Sequence, residues 1–205
     1  PYGFHIKVRG FWIDAHEVTI QEYAAFIKAI ASLPEDMQNV YQHEDQPADK
    51  TSHVPDDWQA LYTAAKEGKM WNKHSMEIYH PVVGIDWWDA YAYAEWKGRS
   101  LPSYDDWYAA CSASSDPSQL KGSGYLAVDK TEQTTIGLHG MAGNVSEWMR
   151  EPTLDPADPS APPRYMISGA SYLRPKYGAR AREWVDSRNL RRPDIGFRTC
   201  NNSRQ

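Results

Sequence analysis

The spacing of apolar residues changes at residue 19 from one that favours a strand to one that favours a helix. Residues 6–19 carry Ile, Val and Phe with polar residues between them, which favours an extended strand. Thr19 and Glu22 then have the three-residue spacing of a capping box, in which each side chain bonds the other residue's backbone N–H. A helix is therefore predicted over residues 20–30. Its buried face repeats at intervals of three and four residues and comprises Tyr23, Phe26, Ile27 and Ile30.

The next fifty residues are mostly polar and are interrupted by proline. Residues 32–80 contain Pro34, Pro47 and Pro55, which break regular structure. One short helical candidate remains at residues 56–67. We therefore expect this segment to be rich in loops.

Two capped helices are predicted around a short loop. An apolar run at residues 82–85 is predicted to be a strand. The sequence Asp-Trp-Trp-Asp then opens a helix over residues 86–96, and Gly98 is placed to end it. A Ser-x-x-Asp cap opens a second helix over residues 103–112.

The rest of the chain favours long loops between short strands. Beyond residue 114 it is rich in Ser, Thr, Gly and Pro, and residues 151–164 hold five prolines. Short helices and short strands together indicate the α+β class. At 205 residues the chain has the size of one domain, and we expect a single domain over residues 1–205.

The composition favours a soluble, loop-rich fold. Nine Trp and thirteen Tyr against four Phe favour rings that bury one face while an N–H or O–H reaches a partner. Mean hydropathy is -0.71. No apolar run approaches the roughly 18 residues that span a bilayer, so we expect no membrane insertion.

Charge is distributed unevenly along the chain. The net charge is -5, yet residues 164–205 hold ten Lys or Arg against three acids. This asymmetry suggests an anion-binding face, although basic loop residues can also pair with the acidic remainder. The acidic total disfavours nucleic acid as a partner.

Five segments carry a recognisable pattern, in order along nearly the whole chain. They are FWIDAHEVT at residues 11–19, HPVVGIDWWDAYAYAEWKGRSLPSYDDWYAAC at 80–111, GLHGMAGNVSEW at 137–148, ISGASY at 167–172 and IGFR at 195–198. Together they resemble the motifs of the formylglycine-generating-enzyme (sulfatase-modifying factor) family, with Asp106 at the usual Glu. The resemblance implies a C-type-lectin-like α+β fold with a small mixed or antiparallel sheet, two main helices and high loop content.

The resemblance stops at the family's catalytic residues. Formylglycine-generating enzymes carry two copper-binding cysteines at the third and eighth positions beyond the Ser that is Ser171 here, and those positions are Arg174 and Ala179. Neither side chain supplies the thiolate that selects Cu(I). The seven histidines include no H-x-x-x-H pair. We therefore expect a pseudoenzyme without the copper-dependent oxidase activity, and we assign no catalytic residue.

Calcium is the cofactor that the resemblance implies. In the family, the motif at residues 137–148 binds Ca²⁺ through the side chain at its fourth position, two backbone carbonyls and a Glu. These positions correspond to Gly140, Gly143, Val145 and Glu147. Because Gly140 has no side chain and Ca²⁺ takes six to eight oxygens, a weak or empty site is expected. The alternative is that Glu147 accepts backbone N–H bonds and holds the loop.

The two cysteines also follow the resemblance, with one departure. Family members commonly pair a cysteine at the position of Cys111 with one directly after the closing Gly-Phe-Arg, whereas Cys200 lies one residue later. In a strand this step turns the side chain to the opposite face. The alternatives are a Cys111–Cys200 disulfide and two buried thiols. A disulfide would indicate an extracellular or surface-displayed protein; otherwise the sequence does not indicate a compartment.

Residues 172–194 are the predicted binding surface. Family enzymes bind substrate in this region, and its composition suits recognition. A polar and aromatic insert in a fixed frame also resembles the variable proteins of diversity-generating retroelements. Alternatively, Arg180, Arg182 and Arg188 are buried loop anchors. The candidate ligand-binding residues are Tyr172, Arg174, Lys176, Tyr177, Arg180, Arg182, Trp184, Asp186, Arg188 and Asn189.

The sequence thus predicts a non-catalytic ligand-binding domain of the sulfatase-modifying-factor type. Its expected partner is a protein or a small polar or anionic ligand. The alternatives are an enzyme of the same superfamily with a mechanism that does not use copper, and a structural domain.

Overall fold

Four α-helices are present in the part of the chain that the structure describes. This computed structural model describes residues 10–113, 124–176 and 178–202. The helices are α1 (Ile20–Ala31), α2 (Trp58–Glu67), α3 (Trp87–Trp96) and α4 (Tyr104–Ser112). All four coincide with predicted helical segments: α1, α3 and α4 with capped helices, and α2 with the short helical candidate at residues 56–67. α2 and α4 are additional to the two main helices that the resemblance implies. None of these four is long and apolar enough to cross a membrane.

The predicted capping boxes of α1 and α3 are confirmed. At the start of α1, Thr19 Oγ1 accepts from Glu22 N at 3.2 Å and Glu22 Oε2 accepts from Thr19 N at 2.8 Å. At the start of α3, Asp86 Oδ1 accepts from Asp89 N at 3.0 Å and Asp89 Oδ2 accepts from Asp86 N at 3.1 Å. Gly98 follows α3 with a φ of 64°, the left-handed conformation that ends many helices.

The strands are short and form one mixed sheet and two small antiparallel pairs. Their bounds are β1 (Phe11–Ile13), β2 (Met70–Trp71), β3 (His74–Ser75), β4 (Ser146–Trp148), β5 (Tyr165–Ser168), β6 (Arg182–Val185), β7 (Ile195–Gly196) and β8 (Cys200–Asn202). The mixed sheet has the order β6-β5-β4-β7, in which only β4 and β7 run parallel. β1 pairs with β8, and β2 pairs with β3. The extended segment predicted at residues 6–19 contributes only β1 to the described strands, and residues 6–9 lie outside the described ranges.

The strand predicted at residues 82–85 is wrong. This segment forms single hydrogen bonds to three different neighbours: Val82 N donates to Val18 O at 2.9 Å, Gly84 N donates to Arg192 O at 3.1 Å, and Gly84 O accepts from Asp56 N at 2.9 Å. Its three apolar side chains are buried. The apolar run therefore reflects burial between other segments, and continuous burial does not require a strand ladder.

Aromatic and apolar side chains cover both faces of the mixed sheet. Ile167 in β5 packs in the cluster that contains Tyr23 and Tyr93 from α1 and α3. Its neighbour Met166 packs in the cluster that contains Trp107 from α4. Successive residues of a strand point to opposite faces, so the sheet lies between the two clusters. The loop that joins β5 to β6 emerges at the end of this buried sheet.

Candidate ligand-binding site

Hydrogen bonds fix the ends of the segment between β5 and β6. Gly169 N donates to Ala181 O at 2.9 Å. Ser171 Oγ donates to Asp194 Oδ2 at 2.7 Å, which connects the start of the segment to the residue before β7. Between these points, residues 173–176 are exposed. The frame is therefore rigid and the side chains that it carries are accessible.

A cavity of about 540 Å³ lies beside this segment. Its volume is within the range of small-molecule sites. Of the two positions at which the resemblance places copper-binding cysteines, Arg174 lines the cavity and Ala179 is buried in the cluster of Trp107. The lining residues are Ser146, Ile167, Gly169, Ala170, Arg174, Ala181, Arg182 and Glu183.

Arginines outnumber acids along the cavity wall. Arg174 Nη1 donates to Glu183 Oε2 at 2.5 Å, and Arg192 Nη1 donates to the same carboxylate at 2.8 and 3.0 Å. Arg192 Nε donates to Asp194 Oδ1 at 3.0 Å. Its Nη2 is buried and has no hydrogen-bond partner among the described residues. Arg192 and Asp194 do not line the cavity, so the wall itself carries two guanidinium groups and one carboxylate. This excess of positive charge favours an anionic group.

Arg182 also lines a second depression, of about 290 Å³. Its guanidinium carbon lies 5.3 Å from the ring centroid of Tyr104 and 5.4 Å from that of Trp184. The indole Nε1 of Trp184 donates to Thr153 Oγ1 at 3.0 Å, which fixes the ring. Oriented aromatic rings beside an arginine are typical of recognition surfaces.

The predicted binding residues divide into two groups. Arg174 and Arg182 line the cavity, and Trp184 lines the second depression. Tyr172 instead stacks on Tyr125, with ring centroids 5.1 Å apart. The remaining predicted residues of this stretch are Lys176 and Arg180, which are exposed, and Tyr177, which lies outside the described residues.

Arg188 and Asn189 are held by the start of α3. The guanidinium carbon of Arg188 lies 3.8 Å from the ring centroid of Trp88, whose Nε1 donates to Asn189 Oδ1 at 2.7 Å. Arg188 is half-buried and stacks on a ring, so it does not make the bidentate bonds expected of a buried loop anchor. Asp186 is exposed and pairs with Arg164 at 3.3 Å.

Three residues of the charge network beside the cavity were not selected individually from the sequence: Glu183, Arg192 and Asp194. The useful signal is the small number of acids in the basic segment at residues 164–205. Two of its three acids bind the arginines around the cavity. An acid within a mostly basic stretch of sequence is therefore a signal for a network of ion pairs.

A buried ion pair holds the loop at residues 137–148. Arg198 Nε and Nη2 donate to the two oxygens of Glu147, each at 2.8 Å. Trp107 Nε1 donates to Glu147 Oε2 at 2.9 Å. All three donors are side chains, so Glu147 holds the loop through Arg198 and Trp107 rather than through backbone N–H groups. Gly143 and Val145, the other two calcium candidates with Glu147, are also buried in this loop.

A second carboxylate points at the same loop. Glu17 is fully buried, and a Cβ atom on Gly140 would lie only 2.3 Å from Glu17 Oε1. Burial raises the pKa of Glu17 to about 8. In the described ranges, no group of three or more His, Cys, Asp or Glu is arranged to hold a metal ion. A calcium ion at this loop would therefore need backbone oxygens as well as carboxylates, which is common for Ca²⁺.

The disulfide that the resemblance implies is not formed. Cys111 and Cys200 are both buried thiols. Cys200 Sγ lies 3.6 Å from Ser100 Oγ, whereas Cys111 packs in the cluster of Trp107. The one-residue offset of Cys200 turns its side chain to the other face of its strand. Burial raises the pKa of Cys111 to about 12, so this thiol is protonated at neutral pH.

Comparison with known sequences covers nearly the whole chain. The profile of the sulfatase-modifying factor enzyme 1-like domain matches residues 4–133 and 118–203. The formylglycine-generating enzyme of Streptomyces coelicolor is 26% identical over 253 residues, which covers 97% of this chain and 80% of that enzyme. The serine/threonine-protein kinase Pkn1 of Chlamydia trachomatis is 26% identical over 182 residues, which covers 78% of this chain but 27% of the kinase. The chain thus spans about a quarter of the length of that relative.

Comparison with solved structures shows the fold. CarF superposes with a TM-score of 0.63 at 18% identity, covering 96% of this chain and 88% of CarF. Variable protein 1 of Treponema denticola superposes with a TM-score of 0.57 at 15% identity, covering 93% of this chain and 84% of that protein. The expected C-type-lectin-like α+β fold is confirmed.

Proposed function

This chain belongs to the sulfatase-modifying factor enzyme 1-like domain family, and we propose that it is a non-catalytic ligand-binding domain with its binding surface on residues 172–194. We propose that residues 1–205 form one domain. The domain can also be part of a larger protein, because the match covers only 27% of the Pkn1 kinase of Chlamydia trachomatis.

The observation that carries this proposal is the chemistry of the cavity wall. Where the resemblance places two copper-binding thiols, the chain has Arg174 beside a cavity and the buried Ala179. The two cysteines of the chain, Cys111 and Cys200, lie in α4 and β8 instead. The cavity thus keeps a volume suited to a ligand while the ligands for Cu(I) are absent from its wall.

The charges on the wall support a polar or anionic ligand. Arg174 and Arg182 line the cavity together with a single acid, Glu183, which also binds Arg192 from outside the lining. A carboxylate or phosphate group on the ligand can accept hydrogen bonds from Arg174 and Arg182 and offset the excess positive charge. An acidic side chain on a protein partner would supply the same chemistry.

The test is selection of a random peptide library, displayed on phage, against the immobilised chain. We expect acidic peptides to be retained, and we expect the double variant Arg174→Ala, Arg182→Ala to bind them roughly tenfold or more weakly, since charge-assisted bonds are lost. Lys28→Ala, which removes an exposed cation on α1, serves as the matched control. Equal binding by the double variant and the wild type contradicts the proposal.

A narrower form of the proposal is a variable protein of a diversity-generating retroelement. It is supported by the rigid frame at Gly169 and Asp194 around exposed side chains. The shared fold with the variable protein of Treponema denticola is compatible with it. Sequencing of related loci should find changes confined to residues 172–194, and an even spread of changes along the chain rules this form out.

The enzyme alternative is supported by the similarity to a formylglycine-generating enzyme over 80% of that enzyme's length. It is tested by incubating the copper-treated chain with a cysteine-containing peptide and detecting aldehyde with a hydrazine probe. We expect no aldehyde, with the Streptomyces coelicolor enzyme as the positive control. Aldehyde formation by this chain would overturn the non-catalytic proposal.

A further inference from the structure

Strand β6 forms an edge of the mixed sheet that no described strand covers. The sheet order is β6-β5-β4-β7, so β6 has a partner on one side only. Gly169 N donates to Ala181 O at 2.9 Å, and in an antiparallel ladder the bonded pairs recur at every second residue. The backbone N–H and C=O groups of Arg182 and Trp184 therefore point away from β5. An edge of this kind is a template for the addition of another strand.

Depressions lie on the two faces of the sheet beside this edge. Trp184 lines the depression of about 290 Å³ together with Met166, its cross-strand partner in β5. Glu183 lies between Arg182 and Trp184 in sequence, so its side chain points to the other face, where it lines the cavity of about 540 Å³. The residues of a strand added to β6 would therefore enter the depression and the cavity alternately.

The depression favours apolar side chains. It is lined by the rings of Tyr104 and Trp184 and by the exposed Leu154, against which an apolar or aromatic side chain can pack. Two acids in its wall, Asp105 and Glu151, disfavour a further carboxylate there. One face of the added strand is therefore expected to be apolar.

The cavity favours acidic side chains. Its wall carries Arg174 and Arg182 against the single acid Glu183, and a carboxylate can accept charge-assisted hydrogen bonds from guanidinium groups. We propose that β6 binds, by strand addition, an extended segment of a protein partner in which acidic residues alternate with apolar or aromatic residues. This rests on the proposed function, because it specifies the partner that the same binding surface takes.

The first test compares two fluorescein-labelled peptides of equal composition and charge by fluorescence anisotropy with the full chain. Thr-Val-Glu-Tyr-Glu-Val-Thr alternates acidic and apolar residues, whereas Thr-Glu-Glu-Tyr-Val-Val-Thr does not. We expect the alternating peptide to bind roughly tenfold or more tightly. Equal affinities overturn strand addition but leave the attraction of the arginines for acidic ligands intact. Binding of neither peptide also overturns strand addition, whereas the proposed function is judged by the phage selection alone.

N-methylation of the alternating peptide tests whether its backbone pairs with β6. A strand bonds each neighbour through every second residue, and an N-methyl group both removes the donor and blocks close approach. Methylation either at the central Tyr or at the two Glu should weaken binding roughly tenfold or more, and methylation of the other kind should have little effect. Equal effects at all three positions contradict the proposal. The protein itself is unchanged in this test, so the outcome does not depend on the folding of a variant.

The matching change in the chain is Arg182→Pro, which removes one outward N–H group. Proline is tolerated on edge strands where the missing N–H would face solvent. Arg182→Ala removes the same guanidinium group but keeps the N–H, and it serves as the matched control. We expect the proline variant to bind the alternating peptide roughly tenfold more weakly than the alanine variant, at a similar Tm. Equal binding by the two variants overturns the proposal.

Discussion

Arg198 joins three segments that are far apart in sequence. Besides its two bonds to Glu147, it donates from Nη1 to Asp14 O at 3.1 Å and from Nη2 to His139 O at 2.7 Å. The sequence identified Arg198 as a residue of a family motif. It could not identify Glu147 as its partner, because the two residues are separated by 51 positions and nothing in the local pattern connects them.

Replacement of Arg198 should destabilise the fold strongly. In Arg198→Leu the carboxylate of Glu147 stays buried without its charge partner, and breaking a buried pair costs about 3–5 kcal/mol. Arg99→Ala removes the exposed partner of Asp14, and exposed pairs contribute at most about 1 kcal/mol. We expect urea unfolding in EDTA to give a much lower free energy of unfolding for Arg198→Leu than for the wild type. Arg99→Ala should stay close to the wild-type value. Similar losses in both variants contradict this account.

His80 should make the fold sensitive to mild acid. Burial lowers the pKa of His80, whose Nδ1 lies 3.0 Å from Glu77 N. The neighbouring ionisable groups are Glu77, Lys130 and Tyr125. Because the unfolded chain binds the proton more readily than the folded chain, stability is lost as the pH falls below the ordinary histidine pKa of about 6.5.

The matched variant for this prediction is His80→Asn, which keeps a hydrogen-bond acceptor and does not titrate. We expect the wild type to be the more stable protein at pH 7.5 and its advantage to shrink at pH 5.5. Urea unfolding at the two pH values measures both differences. An advantage that stays constant between them shows that His80 is not the titrating group.

At the level of elements, local signals predicted helices much better than strands. Capping residues located α1, α3 and α4, because a helix is defined by contacts within a few residues. α2 was predicted only as a short helical candidate, and its N-cap residue forms no side-chain cap. The strands of the mixed sheet are two to four residues long. Such strands are too short to show a repeat of two, and both faces of the sheet are buried. Continuous burial also explains why residues 82–85 were mistaken for a strand.

The contact between β7 and its neighbours leaves no room for a side chain at Gly196. A Cβ atom there would lie 2.8 Å from Val82 O and 2.9 Å from Val145 Cγ2. We expect Gly196→Ala to destabilise the fold by about 1–3 kcal/mol, as overpacking does in cores. In Gly124→Ala the new methyl group has no heavy atom within 4 Å, and the free energy of unfolding should change little. Chemical unfolding of the two variants provides the comparison.

At the scale of the whole molecule, the sequence located one residue of the cavity wall but did not predict the charge network beside the cavity. Counting from Ser171 placed Arg174 at the family's catalytic position, and Arg174 does line the cavity. The roles of Glu183 and Arg192 depend on how β6 and the residues before β7 meet in three dimensions. Tyr172 and Arg188 were selected for their residue type alone, and that type could not show that Tyr172 stacks on Tyr125 or that Arg188 stacks on Trp88.

Pairing between distant parts of the chain, rather than a disulfide, holds the C-terminal strand. β8 pairs with β1, and Cys200 exchanges backbone hydrogen bonds with Ser100 at 2.8 and 3.0 Å. A Cys111–Cys200 bridge would close a loop of about 90 residues and add roughly 3–5 kcal/mol in the chain-entropy model. We therefore expect two thiols per chain when the protein is titrated in guanidinium without reductant, and no change in Tm on adding dithiothreitol. Finding no thiol, together with a lower Tm in reductant, would show that the bridge forms and that the strand is held covalently.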